Sequence, residues 1–330
     1  MRSRVFSLLV IVLSLGLLIG CSSQESDKTS ADNSSIKVGI IQIVEHPALD
    51  AAREGFIEEM AKAGYKEGDN ITYDYKNAQG DMSTAQTIAK QFTYDKLDLI
   101  LAIATPTAQA VANSVKDTPI LITAVTDPKS AGLVDSLEVP GANITGTSDL
   151  TPVKQQLELF KKIDPNIKKI GIIYNGGEVN SVVQAELAEK EAKKLDLELI
   201  NLTVTSSNEV YQGAQSLVGR VDGIYVPTDN TVVSAIQSVV KVANESDLPL
   251  IVGEDNSVEN GGLATVGINY YQLGRQTGKM AVEVLDGADP AKMSIQYLEN
   301  TDLVINLKAA QEMGVDLPEE LLNQAKRIIE

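Results

Sequence analysis

The chain reads as an α/β protein built from two similar lobes, each a doubly wound parallel sheet. Three observations predict this. First, Lys37-Val38-Gly39-Ile40-Ile41 returns as Lys169-Ile170-Gly171-Ile172-Ile173. Each copy is a short, wholly apolar run of the kind that suits a parallel sheet covered on both faces. Second, the segments downstream of the two copies come in the same order. Leu97 to Ala102, Thr105-Pro106-Thr107 and Thr118 to Ile122 in the first half are echoed by Val221 to Val226, Thr228-Asp229-Asn230 and Leu248 to Val252 in the second. Any two α/β halves share strand-like runs, so it is the matching order that favours duplication. Third, strand-like and helical stretches alternate along 330 residues, a length that exceeds one typical core.

Composition narrows the function classes. With 43% hydrophobic and 22% charged residues the chain is an ordinary globular one. Its 28 basic and 45 acidic residues give a net charge of -17. That balance argues against nucleic acid, which demands a basic face, and against charge-driven binding to an anionic bilayer. Solubility is the simple reading of the acidity. One cysteine, Cys21, and one histidine, His46, exclude a disulfide framework and a thiolate metal cluster. Trp is absent, which argues against a sugar held on an indole face.

Residues 1–20 have the parts of an export signal: Arg2 and Arg4, an apolar run from Val5 to Ile19, then Gly20. The run is short for a membrane span. Leu18-Ile19-Gly20-Cys21 resembles the bacterial lipobox, which implies lipidation of Cys21. Two acyl chains suffice for stable anchoring. From Cys21 to Ile36 the chain is polar, and Ser22 to Ser35 cannot bury enough surface to fold. It is a tether, with a mean reach of roughly 20 Å for about 15 residues.

The body begins with a strand ending near Ile43 and a helix from about Pro47 to Ala63, stopped by Gly64. Pro47 suits the first helical turn, where its missing N–H costs nothing. Ile71 to Tyr75 reads as a strand, Ser83 to Tyr94 as a helix capped by Ser83, and Leu97 to Ala104 as a buried strand. Pro106 opens a helix to about Lys116, and Pro119 to Val125 is a strand. Gly141 to Ser148 is extended, Pro152 to Ile163 helical, and the passage between lobes falls near Gly146 to Thr151. The second lobe reads as strand Lys169 to Tyr174, helix Ser181 to Leu195, strand Glu198 to Val204, helix Asn208 to Val218 and strand Gly223 to Val226. Helix Asn230 to Asn244, strand Leu248 to Gly253, strand Leu263 to Ile268 and helix Tyr271 to Leu285 come next. The tail from Asn306 to Ile329 reads as two short helices split by Leu317-Pro318.

In open α/β sheets, ligands bind beyond the carboxyl ends of the strands. Those ends carry Glu45 and His46, Thr105 and Thr107, Thr126 and Asp127, Tyr174, Asp229 and Asn230, and Glu254. If both lobes face each other through these ends, the loops line one cleft. Helix starts offer free N–H groups to an anion such as a carboxylate. Thr105, Thr107, Asn180 and Ser181 sit at two such starts, as caps, as ligand partners, or as both. Glu45, Asp127, Asp229 and Glu254 offer acceptors for an ammonium, which must be paired if buried; Asp229 reads equally as a helix cap. Together these fit a zwitterion such as an amino acid. Tyr174 and Tyr225 end their strands near the cleft, as ligand-packing or core residues. No Walker A loop, GxGxxG, HExxH or GxSxG is present. His46, with no second His or Cys in the body, reads as a hydrogen-bond donor lining the cleft. No cofactor or metal is expected.

Lipobox, tether and two echoing lobes together resemble a solute-binding lipoprotein of an ABC importer, of the periplasmic-binding-protein type I fold. More narrowly, Ile40-Ile41-Gln42-Ile43-Val44-Glu45-His46-Pro47-Ala48-Leu49-Asp50, with Gly55-Phe56, is similar to the subfamily that binds tryptophan or tyrosine. Tyr225-Val226-Pro227-Thr228-Asp229-Asn230-Thr231 and the ending Asn306-Leu307-Lys308-Ala309-Ala310 through Leu317-Pro318 resemble it too. The resemblance implies three crossings between lobes, with an N-terminal lobe of 37–147 plus 256–286 and a C-terminal lobe of 148–255 plus 287–330. It implies a monomer outside the bacterial cell membrane that closes on an aromatic amino acid and delivers it to an ABC permease. A sensing or adhesive lipoprotein using the same cleft is the alternative.

Overall fold

The two copies of the Lys-x-Gly-Ile-Ile run form inner strands of two separate sheets. The protein is described here by a computed structural model covering residues 35–330. The expected signal peptide, Cys21 and the tether as far as residue 34 lie outside the described residues.

In the first lobe the chain runs β1 (Ile36–Gln42), α1 (Pro47–Lys62), β2 (Ile71–Asn77), α2 (Met82–Phe92), β3 (Leu99–Ile103), α3 (Thr105–Ser114), β4 (Ile120–Val125) and β5 (Ile144–Ser148). The sheet order is β2-β1-β3-β4-β5, every pair parallel. After α4 (Val153–Ile163) the second lobe repeats the plan. It runs β6 (Lys169–Asn175), α5 (Val179–Lys194), β7 (Glu198–Val204), α6 (Val210–Leu217), β8 (Gly223–Val226), α7 (Asn230–Ser234), α8 (Ile236–Glu245), β9 (Leu250–Val252), α9 (Asp255–Glu259) and β10 (Ala264–Gly267). The order β7-β6-β8-β9-β10 matches the first sheet strand for strand. Each sheet closes a separate apolar core.

The echo extends to single bonds. The Lys37 N–H donates to Asp98 Oδ2 at 2.8 Å, and the Lys169 N–H donates to Asp222 Oδ2 at 2.8 Å. A Cβ on Gly39 would lie 2.5 Å from Leu97 Cδ1, and one on Gly171 2.5 Å from Leu217 Cδ1. Glycine stands in both copies because a leucine presses on the strand there.

The chain then returns to the first lobe for α10 (Tyr270–Leu285) and β11 (Gln296–Tyr297), which pairs with β5. It ends in the second lobe with β12 (Asp302–Asn306), α11 (Leu307–Glu312), α12 (Glu319–Gln324) and β13 (Arg327–Ile329). The chain therefore passes between lobes three times, at 149–152, 268–269 and 298–301.

These passages differ from the expected boundaries. Residues 256–267 belong with the second sheet, because β10 pairs with β9 and, antiparallel, with β12. Residues 287–297 belong with the first, through β11. An apolar run does not declare which sheet will take it, since strand pairing is non-local. Smaller differences have local causes. Asp81 rather than Ser83 caps α2, accepting the Thr84 N–H at 2.6 Å. The expected helix 230–244 breaks at Ala235 into α7 and α8. Besides its two helices, the tail supplies β13 to the sheet edge, beside β12, which ends where the tail begins.

Candidate functional site: a closed cleft between the lobes

A small cavity of about 20 Å³, room for about one water molecule, lies between the lobes. The first lobe contributes His46, Ala48 and Leu49 at the start of α1, Ala124 near the end of β4 and Thr126 just after it, Asp149 on the first crossing, and Tyr270 at the start of α10. The second lobe contributes Asn180, Thr228, Asp229, Asn230, Val233 and Glu254. A wider groove of about 600 Å³ opens elsewhere, around Asp164, Asp222, Asp247 and Asp316. It is formed by the second lobe alone, at the amino ends of its strands, away from the edge where such sheets bind ligands.

Of the expected residues, His46, Thr126, Asn180, Asp229, Asn230 and Glu254 meet in the cavity. Glu45, Thr105, Thr107, Asp127, Tyr174 and Ser181 do not line it. Glu45 is exposed, with the Tyr75 hydroxyl 3.5 Å from its Oε1. Asp127 folds its own turn, accepting the Lys129 and Ser130 N–H groups at 3.1 and 3.0 Å and the Ser130 hydroxyl at 2.6 Å. Thr107 returns its hydroxyl proton to the Ile103 and Ala104 carbonyls at 2.6 and 2.9 Å, and Ser181 donates to Asp229 Oδ2 at 2.6 Å. Thr105 is buried with no partner for Oγ1. Tyr174 is half-buried and neighbours Glu186 and Glu189 of α5. Tyr225 is a core residue, fully buried, whose hydroxyl donates to Gln156 Oε1 at 2.6 Å.

Two cavity carboxylates are held by their own lobe. Asp229 caps α7 through the Val232 N–H at 2.6 Å and also accepts the Asn175 N–H and Ser181 hydroxyl, both at 2.6 Å. Burial and the nearby Glu178 carboxylate push its pKa up, against the pull of those three donors. Glu254 caps α9, accepting the Asn256 N–H at 2.6 Å, the Ser257 N–H at 2.8 Å and the Ser257 hydroxyl. Burial pushes its pKa up to about 7.

Asp149 and Tyr270 were not among the expected site residues. Asp149 Oδ1 accepts the Thr126 hydroxyl at 2.9 Å and Oδ2 the Tyr270 hydroxyl at 2.5 Å. Burial raises the Asp149 carboxyl, and burial beside that carboxylate raises the phenol. Their signal in the sequence is faint. Asp149 comes after an extended segment and Tyr270 begins a helix, and only the crossings bring them together.

His46 is the N-cap residue of α1 and is only 8% exposed. Burial pulls its pKa down to about 4, against the opposing influence of Asp50 and of the nearby Asn230 amide. The imidazole is therefore neutral at pH 7, and no Lys or Arg lines the cavity. The cavity thus gathers three carboxylates without a cationic side chain. Its apolar surface comes from Ala48, Leu49, Ala124, Val233 and the Tyr270 ring. Among the described residues, no group of three or more His, Cys, Asp and Glu is placed to hold a metal ion, and no helix is long and apolar enough to cross a membrane.

Comparison with known proteins places this geometry. The family profile described as "ABC transporter substrate binding protein" matches residues 37–329. A tyrosine-binding protein of Clostridioides difficile is 47% identical over 310 residues, covering 92% of this chain and 90% of the relative. The crystal structure of an ABC domain in complex with L-Trp from Streptococcus pneumonia shares 41% identity and a TM-score of 0.87, over 90% of this chain and 100% of that one. The ligand-free, open structure of a substrate-binding protein with adhesive properties from Clostridium difficile shares 47% identity but a TM-score of 0.68, over 89% and 99%. Sequence and structural similarity run in opposite directions between these two, as expected if the lobes here are set as in the L-Trp complex.

Proposed function

The chain belongs to the family of ABC transporter substrate-binding proteins, and we propose that it captures tyrosine or tryptophan between its lobes and delivers it to a membrane permease. The observation that carries the ligand class is the charge of the cavity. Asp149, Asp229 and Glu254 line it with no cationic side chain among them. A buried carboxylate without an opposite charge is costly, and a ligand ammonium supplies that charge. Free N–H groups at the start of α1, beside Ala48 and Leu49, suit the ligand carboxylate. Leu49, Val233 and the Tyr270 ring suit an aromatic side chain. The relatives named for tyrosine and bound to L-Trp point the same way.

Ligand binding stabilises the closed arrangement in proportion to its preference for that state. Thermal melts with each of the twenty amino acids test the assignment, because a ligand bound only by the folded state raises apparent stability by mass action. Tyrosine or tryptophan should give the largest shift, confirmed by calorimetry. No shift with any amino acid would defeat the reading.

Delivery and anchoring are separate parts of the proposal. The protein works as a monomer outside the cell, held at the membrane by lipid on Cys21. Cys21→Ser should move it from the membrane fraction to the medium. Loss of the cognate permease should abolish uptake of labelled tyrosine or tryptophan. Adhesion is a second reading, favoured by the adhesive relative; intact cell attachment after deletion of the chain would remove it.

A further inference from the structure

We infer that Gln42, Gln156 and Gln184 are positioning residues for the ligand cleft: each buried amide fixes the backbone of a loop that follows a strand and leads to cavity-lining side chains. The inference rests on the reading proposed above for the ligand that those loops meet.

All three residues are wholly buried, and each amide is engaged within its own lobe. Gln42 is the last residue of β1. Its Nε2 donates to the Val44 carbonyl at 2.8 Å and to Asp50 Oδ1 at 2.9 Å, and its Oε1 accepts from Arg53 Nη1 at 2.6 Å. These bonds tie the loop, two residues before His46, to the first turns of α1. Gln156, on α4, donates to the Gly253 and Val266 carbonyls at 3.0 and 2.9 Å and accepts the Tyr225 hydroxyl at 2.6 Å. Gly253 immediately precedes Glu254 of the cavity wall. Gln184, on α5, donates to the Asn180 and Thr228 carbonyls at 3.2 and 2.9 Å. It accepts the Thr228 N–H and hydroxyl at 3.2 and 2.8 Å. Asn180 and Thr228 both line the cavity.

The chemistry explains why the residue is glutamine each time. An amide carries two N–H donors and one oxygen acceptor on a single planar group. In all three places the donors meet carbonyl or carboxylate oxygens, which only accept, so the amide can face one way only. Glutamate would turn an oxygen toward those oxygens, and methionine would leave them buried and unpaired. Because both N–H groups and the oxygen are already engaged, these amides do not grip the ligand themselves. They hold the loops that do. Loops are the more mobile parts of a fold, and a binding site works only when its groups are kept within about 0.5 Å of the productive geometry.

The test compares wild-type mature chain with Q42M, Q156M, Q184M, R53M and Y225F. R53M and Y225F keep the glutamine and remove only the donor to its oxygen, so they still report if a glutamine variant fails to fold. L217V is the control, because Leu217 lies in the second core against Gly171, toward the amino end of β6. Circular dichroism sets a temperature at which each protein is folded. Amide hydrogen exchange on ligand-free protein follows the loops 43–46, 227–229 and 253–254, and calorimetry measures tyrosine affinity. Each glutamine variant should speed exchange in its own loop and weaken tyrosine roughly tenfold, the worth of one hydrogen bond. R53M should do the same at 43–46 and Y225F at 253–254, to a smaller extent. L217V should lower the melting temperature and leave affinity unchanged. In the Q156M background, Y225F should not weaken tyrosine further. Unchanged exchange in these loops would overturn the inference. Faster exchange with unchanged affinity would overturn it too, since the amides would then serve stability alone. If tyrosine fails to bind wild type, the ligand reading fails, and exchange in the ligand-free proteins still decides whether the amides position the loops.

Discussion

Tyr270 donates its phenolic proton to Asp149 Oδ2 across 2.5 Å, joining two residues 121 positions apart. Asp149 lies on the first crossing between lobes and Tyr270 sits just past the second. Asp149 also keeps a strand-like bond to the first lobe, its N–H donating to the Val125 carbonyl at 3.3 Å. The pair therefore fixes where the first crossing leaves that lobe and sets a carboxylate on the cavity wall.

Tyr270→Phe should weaken the ligand by about 1–3 kcal/mol, because it leaves a buried carboxylate oxygen without its donor. The ring stays, so packing is retained. Calorimetry with tyrosine measures the loss. Unaltered affinity would mean that the hydroxyl neither positions Asp149 nor stabilises the closed form.

Ligand binding should release protons near pH 6–7. Glu254 in the free cavity sits at about 7 against an ordinary 4.5, so it is substantially protonated there. An ammonium beside it favours the ionised form and expels the proton. His46 acts in the same direction on affinity. Its value of about 4, against 6.5 in water, means the open form takes up a proton that the closed form refuses. Affinity should therefore fall as pH drops from about 7 toward 5 and level off above neutrality. Calorimetry in two buffers of different ionisation enthalpy counts the protons; equal heats at pH 6.5 would contradict the scheme. The ligand-free protein should behave oppositely with respect to Glu254. Its raised value contributes stability that is full below the unfolded pKa and is lost as pH rises through 7.

Asp229→Ala should lower the melting temperature of the ligand-free protein as well as the affinity. It strands the Asn175 and Val232 N–H groups and the Ser181 hydroxyl, at about 1–3 kcal/mol for a buried unpaired group. Loss of affinity with an unchanged melt would instead make Asp229 a ligand partner with no structural duty.

Gly274→Ala should destabilise the first lobe. A methyl group there would overlap the Ala52 carbonyl oxygen where α10 crosses α1. Overpacking of this kind costs about 1–3 kcal/mol, and the backbone atoms it meets cannot rotate aside. A melt shows the drop; Gly64→Ala is a weaker comparison, because nothing lies within 4 Å of its added carbon and only its φ of 100° opposes it.

Much of the fold was legible because its signals are local. Apolar runs bounded by turn residues became strands, and the repeated Lys-x-Gly-Ile-Ile run located the inner strand of each sheet. The leucine behind Gly39 and Gly171 shows why that pattern needs glycine in both copies. The strand ends and helix starts named from the sequence gather at the cavity between the lobes, since sheet topology obliges loops to meet there. His46, Thr126, Asn180, Asp229, Asn230 and Glu254 line it.

Tertiary structure decided which polar atoms are left over for a ligand. Thr107 and Ser181 have the right chemistry and position in the sequence, yet their hydroxyl protons are taken by the Ile103 and Ala104 carbonyls and by Asp229. Asp149, Tyr270, Gln156 and Gln184 carry no motif, because their importance comes from partners distant in the chain or in a folded network. Hydrophobic period and turn chemistry act between near neighbours and so survive in the sequence as patterns. Hydrogen-bond satisfaction and burial of charge depend on which distant segments meet, and only the packed lobes settle that.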